Sequence, residues 1–188
     1  MRIIGGYGRG RRLKFPKGGA TRPTGDRVKQ TVFDILAPRI AGCRFLDVFA
    51  GAGGIGLEAL SRGAARVVLV DNNRAAVEAI QANLEALKAN GQAQVFRQDA
   101  RVALAAMADS GVRFDVVYVD PPYDSGLYEE LLEQIGATRL LQDDGLVIAE
   151  HFHKRALPET IGSLVRARTV RIGDHTLTFY RPSEAESR

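Results

Sequence analysis

Little in this chain of 188 residues can form a cross-link. It has one cysteine, Cys43, which excludes an intramolecular disulfide and fits a reducing compartment, the cytoplasm. No Cys/His cluster accompanies Cys43, and His151, His153 and His175 lack ligand spacing, so no metal site is expected. Each histidine reads as a satisfied structural one. No apolar stretch reaches the length of a bilayer span, so no membrane partner is expected. Met1 to Gly5 turns glycine-rich and basic at once and offers no apolar signal-peptide core. Internal repeats, low-complexity segments and long linkers are also missing. What is left, 45% hydrophobic and 26% charged, is the composition of one ordinary globular domain.

Acidic residues are scarce at the N-terminal end. The first 30 residues hold nine of the 26 Lys/Arg but only one of the 22 acids, Asp26. That segment therefore carries +8, and the other 158 residues, with 17 bases against 21 acids, carry −4. A basic arm on a mildly acidic body is an electrostatic footprint for a polyanion. A solubilising tail is the alternative, but Ile3, Ile4, Tyr7, Leu13 and Phe15 interleave with the charges, too apolar a mixture for a fully solvated segment. A partly ordered hairpin with Gly8 or Gly10 in its turn is expected.

The rest alternates between two periods. Helices are expected over Thr24–Leu36, with Thr24 as N-cap, and over Ile55–Ser61, Asn73–Lys88, Arg101–Ala108 and Leu127–Ile135. Strands are expected over Arg44–Phe49, Arg66–Val70, Gln94–Gln98, Phe114–Val119 and Gly145–Glu150. Leu164–Ile172 and His175–Arg181 flank Gly173-Asp174 as a closing antiparallel hairpin. Five βα repeats followed by a hairpin give an α/β fold with a doubly wound, mostly parallel sheet. The expected organisation is a basic polyanion-binding extension over 1–23, an α/β domain over 24–182, and a disordered tail over 183–188.

Asp47 to Gly56 follows the first strand and opens a helix, and Gly51, Gly53 and Gly56 match G-x-G-x-x-G. Asp71 ends the second strand twenty residues after Gly51, the place of an acid that binds ribose hydroxyls. On spacing alone this is a dinucleotide fingerprint. Asp47 argues against NAD, because a carboxylate beside a pyrophosphate repels it, by about 4 kcal/mol for a unit pair at 4 Å near a surface. It would instead attract an ammonium. A ligand with a cationic amino-acid end, a ribose and a purine fits better: S-adenosylmethionine, with its ammonium near Asp47, its ribose on Asp71 and its adenine amine near Asp99, which ends the third strand.

Asp120-Pro121-Pro122-Tyr123 ends the fourth strand. Two prolines fix φ and remove two N–H donors, so the chain leaves the sheet in a rigid turn. That turn holds a carboxylate, bare carbonyl oxygens and an aromatic face together, a set able to bond an amino group and stack on the ring that carries it. An ordinary strand-ending turn is the alternative.

The residues quoted so far resemble a known family. Asp47-Val48-Phe49-Ala50-Gly51-Ala52-Gly53, Asp71 and Asp99 are similar to the cofactor motifs of class I S-adenosylmethionine-dependent methyltransferases, and Asp120-Pro121-Pro122-Tyr123 to the (D/N)-P-P-(Y/F) motif of their amino-group members. Arg2-Ile3-Ile4-Gly5-Gly6, Arg9-Gly10-Arg11, Thr21-Arg22-Pro23-Thr24 and Leu57 to Ala64 resemble the bacterial 16S ribosomal RNA guanine-N2 methyltransferases. The likeness runs from residue 2 to about residue 181. It implies a seven-stranded Rossmann-like sheet, S-adenosylmethionine as cofactor, and a guanine N2 amine in 16S rRNA or the small ribosomal subunit particle as target. The implied cofactor residues are Asp47, Phe49, Ala50, Gly51, Gly53, Gly56, Asp71, Asn72, Asp99 and Ala100. The implied catalytic residues are Asp120, Pro121, Pro122 and Tyr123, with Asp120 and the Pro121 carbonyl accepting the amine N–H bonds and Tyr123 stacking on the extruded base. Arg9, Arg11, Arg12, Lys14 and Arg22 are candidates for phosphate contacts. A monomer is expected. The alternatives are an amino methyltransferase of DNA adenine or protein glutamine, an NAD-dependent oxidoreductase, and a non-catalytic RNA-binding or assembly factor.

Overall fold

The computed structural model describes residues 1–16, 25–122 and 126–183. Arg22, Thr24, Tyr123 and the tail over 184–188 lie outside the described residues, and so do the expectations placed on them. Among the described residues five α-helices and eight strands follow in the order α1 (Asp26–Leu36), β1 (Arg44–Val48), α2 (Gly56–Ser61), β2 (Arg66–Asp71), α3 (Arg74–Leu87), β3 (Ala93–Arg97), α4 (Ala100–Asp109), β4 (Phe114–Val119), α5 (Leu127–Ala137), β5 (Leu141–Phe152), β6 (Thr160–Ile161), β7 (Leu164–Ile172) and β8 (His175–Pro182).

All eight strands form one sheet in the order β3-β2-β1-β4-β5-β8-β7-β6. The first five positions pair parallel, and β8, β7 and β6 add an antiparallel edge. The expected doubly wound class is borne out. The difference is β6, whose two residues are too few to display any hydropathy period. The order reverses between β1 and β4, which opens a crevice at the carboxyl ends of these strands.

Strand alternation feeds two cores. Phe45, Val67, Leu69, Val116, Tyr118 and Ile148 face α1, α2 and α3 through Phe33, Leu57, Leu60, Ile80 and Leu84. Leu46, Val48, Val68, Val70, Val117, Val119 and Val147 face α4 and α5 through Leu104, Met107, Leu131, Leu132 and Ile135. The period of two thus puts consecutive residues of one strand into opposite cores.

Helix α3 starts where its sequence dictates, with the Asn73 side chain accepting from the Ala75 and Ala76 N–H groups. It ends at Leu87 with Lys88 as its C-cap, within one residue of the expected end. Lys88 takes the left-handed conformation, φ 56°, and the Ala89 N–H returns to the Leu84 carbonyl while Lys88 N–H returns to Glu85. This paired closure satisfies the last carbonyls and offsets the strain of a lysine at positive φ.

The basic arm is docked. Arg2 and Arg12 bridge antiparallel, Ile3 N–H bonds the Arg11 carbonyl at 2.9 Å, and Gly10 N–H returns to Ile3 at 2.9 Å. The expected hairpin is present, with Gly10 at φ 85° in its turn. Its N–H groups bond α2: Ile4 and Gly5 reach the two Glu58 oxygens at 2.8 and 2.7 Å, and Gly8 reaches the Ser61 hydroxyl at 2.9 Å. Gly6, at φ 70°, lies so close to the Ser61 carbonyl that a Cβ would stand 1.6 Å from its oxygen, so only glycine fits. Beneath it, the fully buried Lys29 ammonium pairs with Glu58 at 3.3 Å and bonds the Arg2 carbonyl, and Arg62 completes the cluster at 2.8 Å.

Candidate active site at the sheet switch point

The chain leaves β1 through a residue that cannot be comfortable. Phe49 is a non-glycine at φ 68°, a conformation that costs on the order of 1 kcal/mol or more and that clusters at functional sites. Ala50 N–H then bonds the Val70 carbonyl at 2.9 Å, which ties the turn to β2. Gly51 (φ 56°) and Gly53 (φ 81°) complete the reversal, and a Cβ at Gly53 would press within 2.9 Å of Leu57. The turn delivers the chain into α2 at Gly56.

Asp47 lies beneath this turn. It is buried, and its Oδ2 accepts the Gly56 N–H at 2.8 Å, at the first residue of α2. Burial pushes its carboxyl up from 3.8 to about 7; the Gly56 bond opposes this, and the charges of Asp71 and Glu150 add to it. Asp71 ends β2 and braces the turn from the other side, accepting Gly51 N–H and Asn73 N–H, each at 2.8 Å. Asn72 is exposed beside it. Asp99 caps α4, accepting from Arg101 N–H at 3.0 Å, with Ala100 buried behind it. Both Asp99 oxygens also meet the Arg101 guanidinium at 3.0 Å, which holds this carboxyl below its usual range.

Asp120 follows β4 directly. The register pairs Asp47 with Tyr118 and Tyr118 with Ile148. Asp120 and Glu150, each two residues on, lie side by side on the same face, with Asp47 on that face one step back along β1. Burial raises Asp120 well above the usual carboxylate range, reinforced by the charges of Glu150 and Asp47. Among the described residues, no lysine or arginine pairs with Asp47 or Asp120. Pro121 is buried and Pro122 exposed; the Pro121 carbonyl lies 3.4 Å from the Tyr128 hydroxyl, which donates to the Glu150 carbonyl at 2.9 Å.

Glu150 is a residue that motif reading missed. Its carboxylate accepts the Tyr118 hydroxyl and meets His175 Nδ1 at 2.6 Å. A signal for it existed: like Asp71 and Asp120, Glu150 directly follows an apolar run, Leu146 to Ala149. His175, expected to be merely structural, belongs beside this acid, whereas His151 does fill a structural role, bonded to the Thr178 hydroxyl at 2.8 Å and lowered by burial. Among the described residues no cluster of His, Cys, Asp and Glu is arranged to hold a metal ion.

Residues 1–181 match the family described as Conserved hypothetical protein 95. The chain belongs to this family. YlbH of Bacillus subtilis, assigned as an rRNA methyltransferase, is 41% identical over 96% of this chain and 98% of its own. Ribosomal RNA small subunit methyltransferase D of Escherichia coli is 42% identical over 84% of this chain and 78% of its own. The structure of yhhF from Escherichia coli, assigned as a methyltransferase, superposes with a TM-score of 0.84 at 37% identity, covering 98% and 99% of the two chains. The family read from the motifs is thus borne out, and with it the methyltransferase fold.

The arm supplies a second surface. Arg9, Arg11, Arg12 and Lys14 are exposed, with Tyr7 and Phe15 exposed among them at 60% and 36%. Arg11 donates to the Ala86 carbonyl at the end of α3, while the other three side chains make no ion pair among the described residues. A cavity of about 320 Å³ opens between Arg2, Ile4, Arg9, Asp26 and Gln30. No helix among the described residues is long and apolar enough to cross a membrane.

Proposed function

We propose that this protein transfers a methyl group from S-adenosylmethionine to the exocyclic N2 amine of a guanine in small-subunit ribosomal RNA. By family it is an S-adenosylmethionine-dependent methyltransferase of ribosomal RNA. The guanine amine is the finer reading, supported by one observation above others: a buried, cation-free Asp47 beneath a strained glycine turn, next to Asp120-Pro121 on the neighbouring strand.

The donor set fits the cofactor. Asp47 suits its ammonium, because a buried carboxylate with a raised proton affinity gains from a fixed cation. Phe49, Ala50, Gly51, Gly53 and Gly56 form a backbone cradle, Asp71 and Asn72 suit the ribose hydroxyls, and Asp99 with Ala100 suits the adenine edge. When bound, S-adenosylmethionine supplies an electrophilic sulfonium methyl group. Asp120 and the Pro121 carbonyl accept the two amine hydrogens and turn the nitrogen lone pair towards that methyl. Pro121 and Pro122 keep both acceptors rigid, so the rate comes mainly from positioning. Tyr123 stacks on the base. Residues 1–23 grip phosphates, with Arg9, Arg11, Arg12, Lys14 and Arg22 as contacts.

The test is to incubate the protein with labelled cofactor and either naked 16S ribosomal RNA or small-subunit particles lacking the modification, then map the labelled nucleotide. A label on a guanine N2 is expected. A label on an adenine, or none on RNA, overturns the reading.

A further inference from the structure

Deepening that reading, and resting on it, we infer that Glu150, gripped by Tyr118 and His175, is a positioning residue that makes Asp120 basic enough to take the proton released by the methylated amine. The mechanism above leaves Tyr118, Glu150 and His175 unused, the first two buried and the third half-buried, and Tyr118 and His175 both touch Glu150. Tyr118 on β4 donates its hydroxyl to Glu150, and His175 on β8 stands 2.6 Å from the other oxygen. The Glu150 backbone is fixed as well, because its carbonyl accepts the Tyr128 hydroxyl at 2.9 Å and its strand pairs Leu177. A carboxylate held at both oxygens on a fixed backbone cannot swing away from its neighbour on β4, Asp120.

The chemistry calls for such a neighbour. The amine nitrogen forms a bond to the methyl carbon while the S–C bond breaks and its electron pair stays on sulfur. The nitrogen then carries a positive charge and two hydrogens, and one proton must leave. The carboxylate already bonded to an amine hydrogen is the nearest acceptor. An ordinary aspartate is a poor one at neutral pH, since proton transfer is efficient only when acceptor pKa and working pH are close. The negative charge of a second carboxylate beside it disfavours its ionised form and so raises its basicity. The groups facing the Glu150 carboxylate are Tyr118 and Asp120 from β4, Asp47 from β1 and His175 from β8, and burial with the charges of Glu150 and Asp47 sets the direction at Asp120, upwards. A proton on Asp120 before transfer would present an O–H to the nitrogen lone pair and block attack, so activity falls on the acid side.

The experiment is the pH profile of kcat/KM for methyl transfer to the RNA substrate. Asp120 sets the acid limb, and Glu150→Gln, which removes the charge but keeps the shape, moves that limb down by about one pH unit. It also lowers kcat on the alkaline plateau by roughly tenfold, because Asp120 becomes a weaker base. Glu150→Asp restores the limb towards its original position. Tyr118→Phe, which removes one hydroxyl from Glu150, moves the limb in the same direction by less, and serves if Glu150→Gln does not fold. An acid limb that stays in place in folded, active variants overturns the role of Glu150 and leaves the methyltransferase reading standing. Loss of all RNA methylation by the wild-type protein overturns both.

Discussion

Two places in this protein bury charge, and they treat it in opposite ways. Under the arm, Lys29 and Glu58 are both completely buried, yet each is matched: Glu58 receives Lys29, Arg62 and two backbone N–H groups, and Lys29 also bonds the Arg2 carbonyl. Across the sheet ends, Asp47 is buried with one N–H bond and Asp120 stands beside two other acids. The first cluster is closed; its charges serve docking. The second is held short of a cation, at a cost to stability, which is what a site for a cationic ligand and a departing proton requires.

The hardest way to break the comparison is at Asp120. Asp120→Ala should lower methyl transfer by at least about a thousandfold, on the order of 4 kcal/mol, while cofactor affinity measured by calorimetry stays within a few fold. Near-normal turnover would sink the catalytic assignment. Next comes the closed cluster. Glu58→Ala strands a buried lysine and two N–H groups and should cost about 3–5 kcal/mol in denaturant unfolding. A cost below about 1 kcal/mol would mean that the arm docks without its anchor.

Asp47 sharpens the contrast with pH. Its folded carboxyl is raised from 3.8 to about 7, so across that window the folded protein holds a proton that the unfolded chain has released. Stability from this group is present below about pH 4 and is lost as pH rises to about 7. Asp47→Asn should therefore stabilise the cofactor-free protein at pH 8, by up to about 3 kcal/mol, and change little at pH 4. The same variant should bind cofactor more weakly, and equal stabilisation at both pH values would contradict the burial argument. The smallest effect is on the surface. Arg9→Glu with Arg12→Glu should reduce the salt slope of RNA binding by about 2 and leave folding intact. An unchanged slope would remove both from the interface.

Much of this was legible because strand-ending acids are a local signal. Asp71 and Asp120 each close an apolar run, Asp47 and Asp99 lie at the ends of less regular strands, and the sheet order then places all four along one edge. Glu150 carries the same signal but joins no short motif, and its partners come from β4 and β8, far away in the chain. Lys29 was counted as one more charge of the arm region; that it is buried under Arg2 depends on how α1 meets α2, which no local pattern encodes. The end of α3 was legible at Lys88; the left-handed conformation of that lysine was not, since it is tolerated only because of the hydrogen bonds that close around it. The two residues of β6 were too few for any period to register.

The hold of Glu58 on the first residues has a consequence for the order of events at the ribosome that makes this chain. Ile4 and Gly5 find their acceptor 54 and 53 residues later in the sequence. The N-terminal residues are thus made first and fastened late, after α2 and the Lys29-bearing α1 have both emerged and packed. Until then a short, strongly basic and partly apolar strand hangs from the nascent chain.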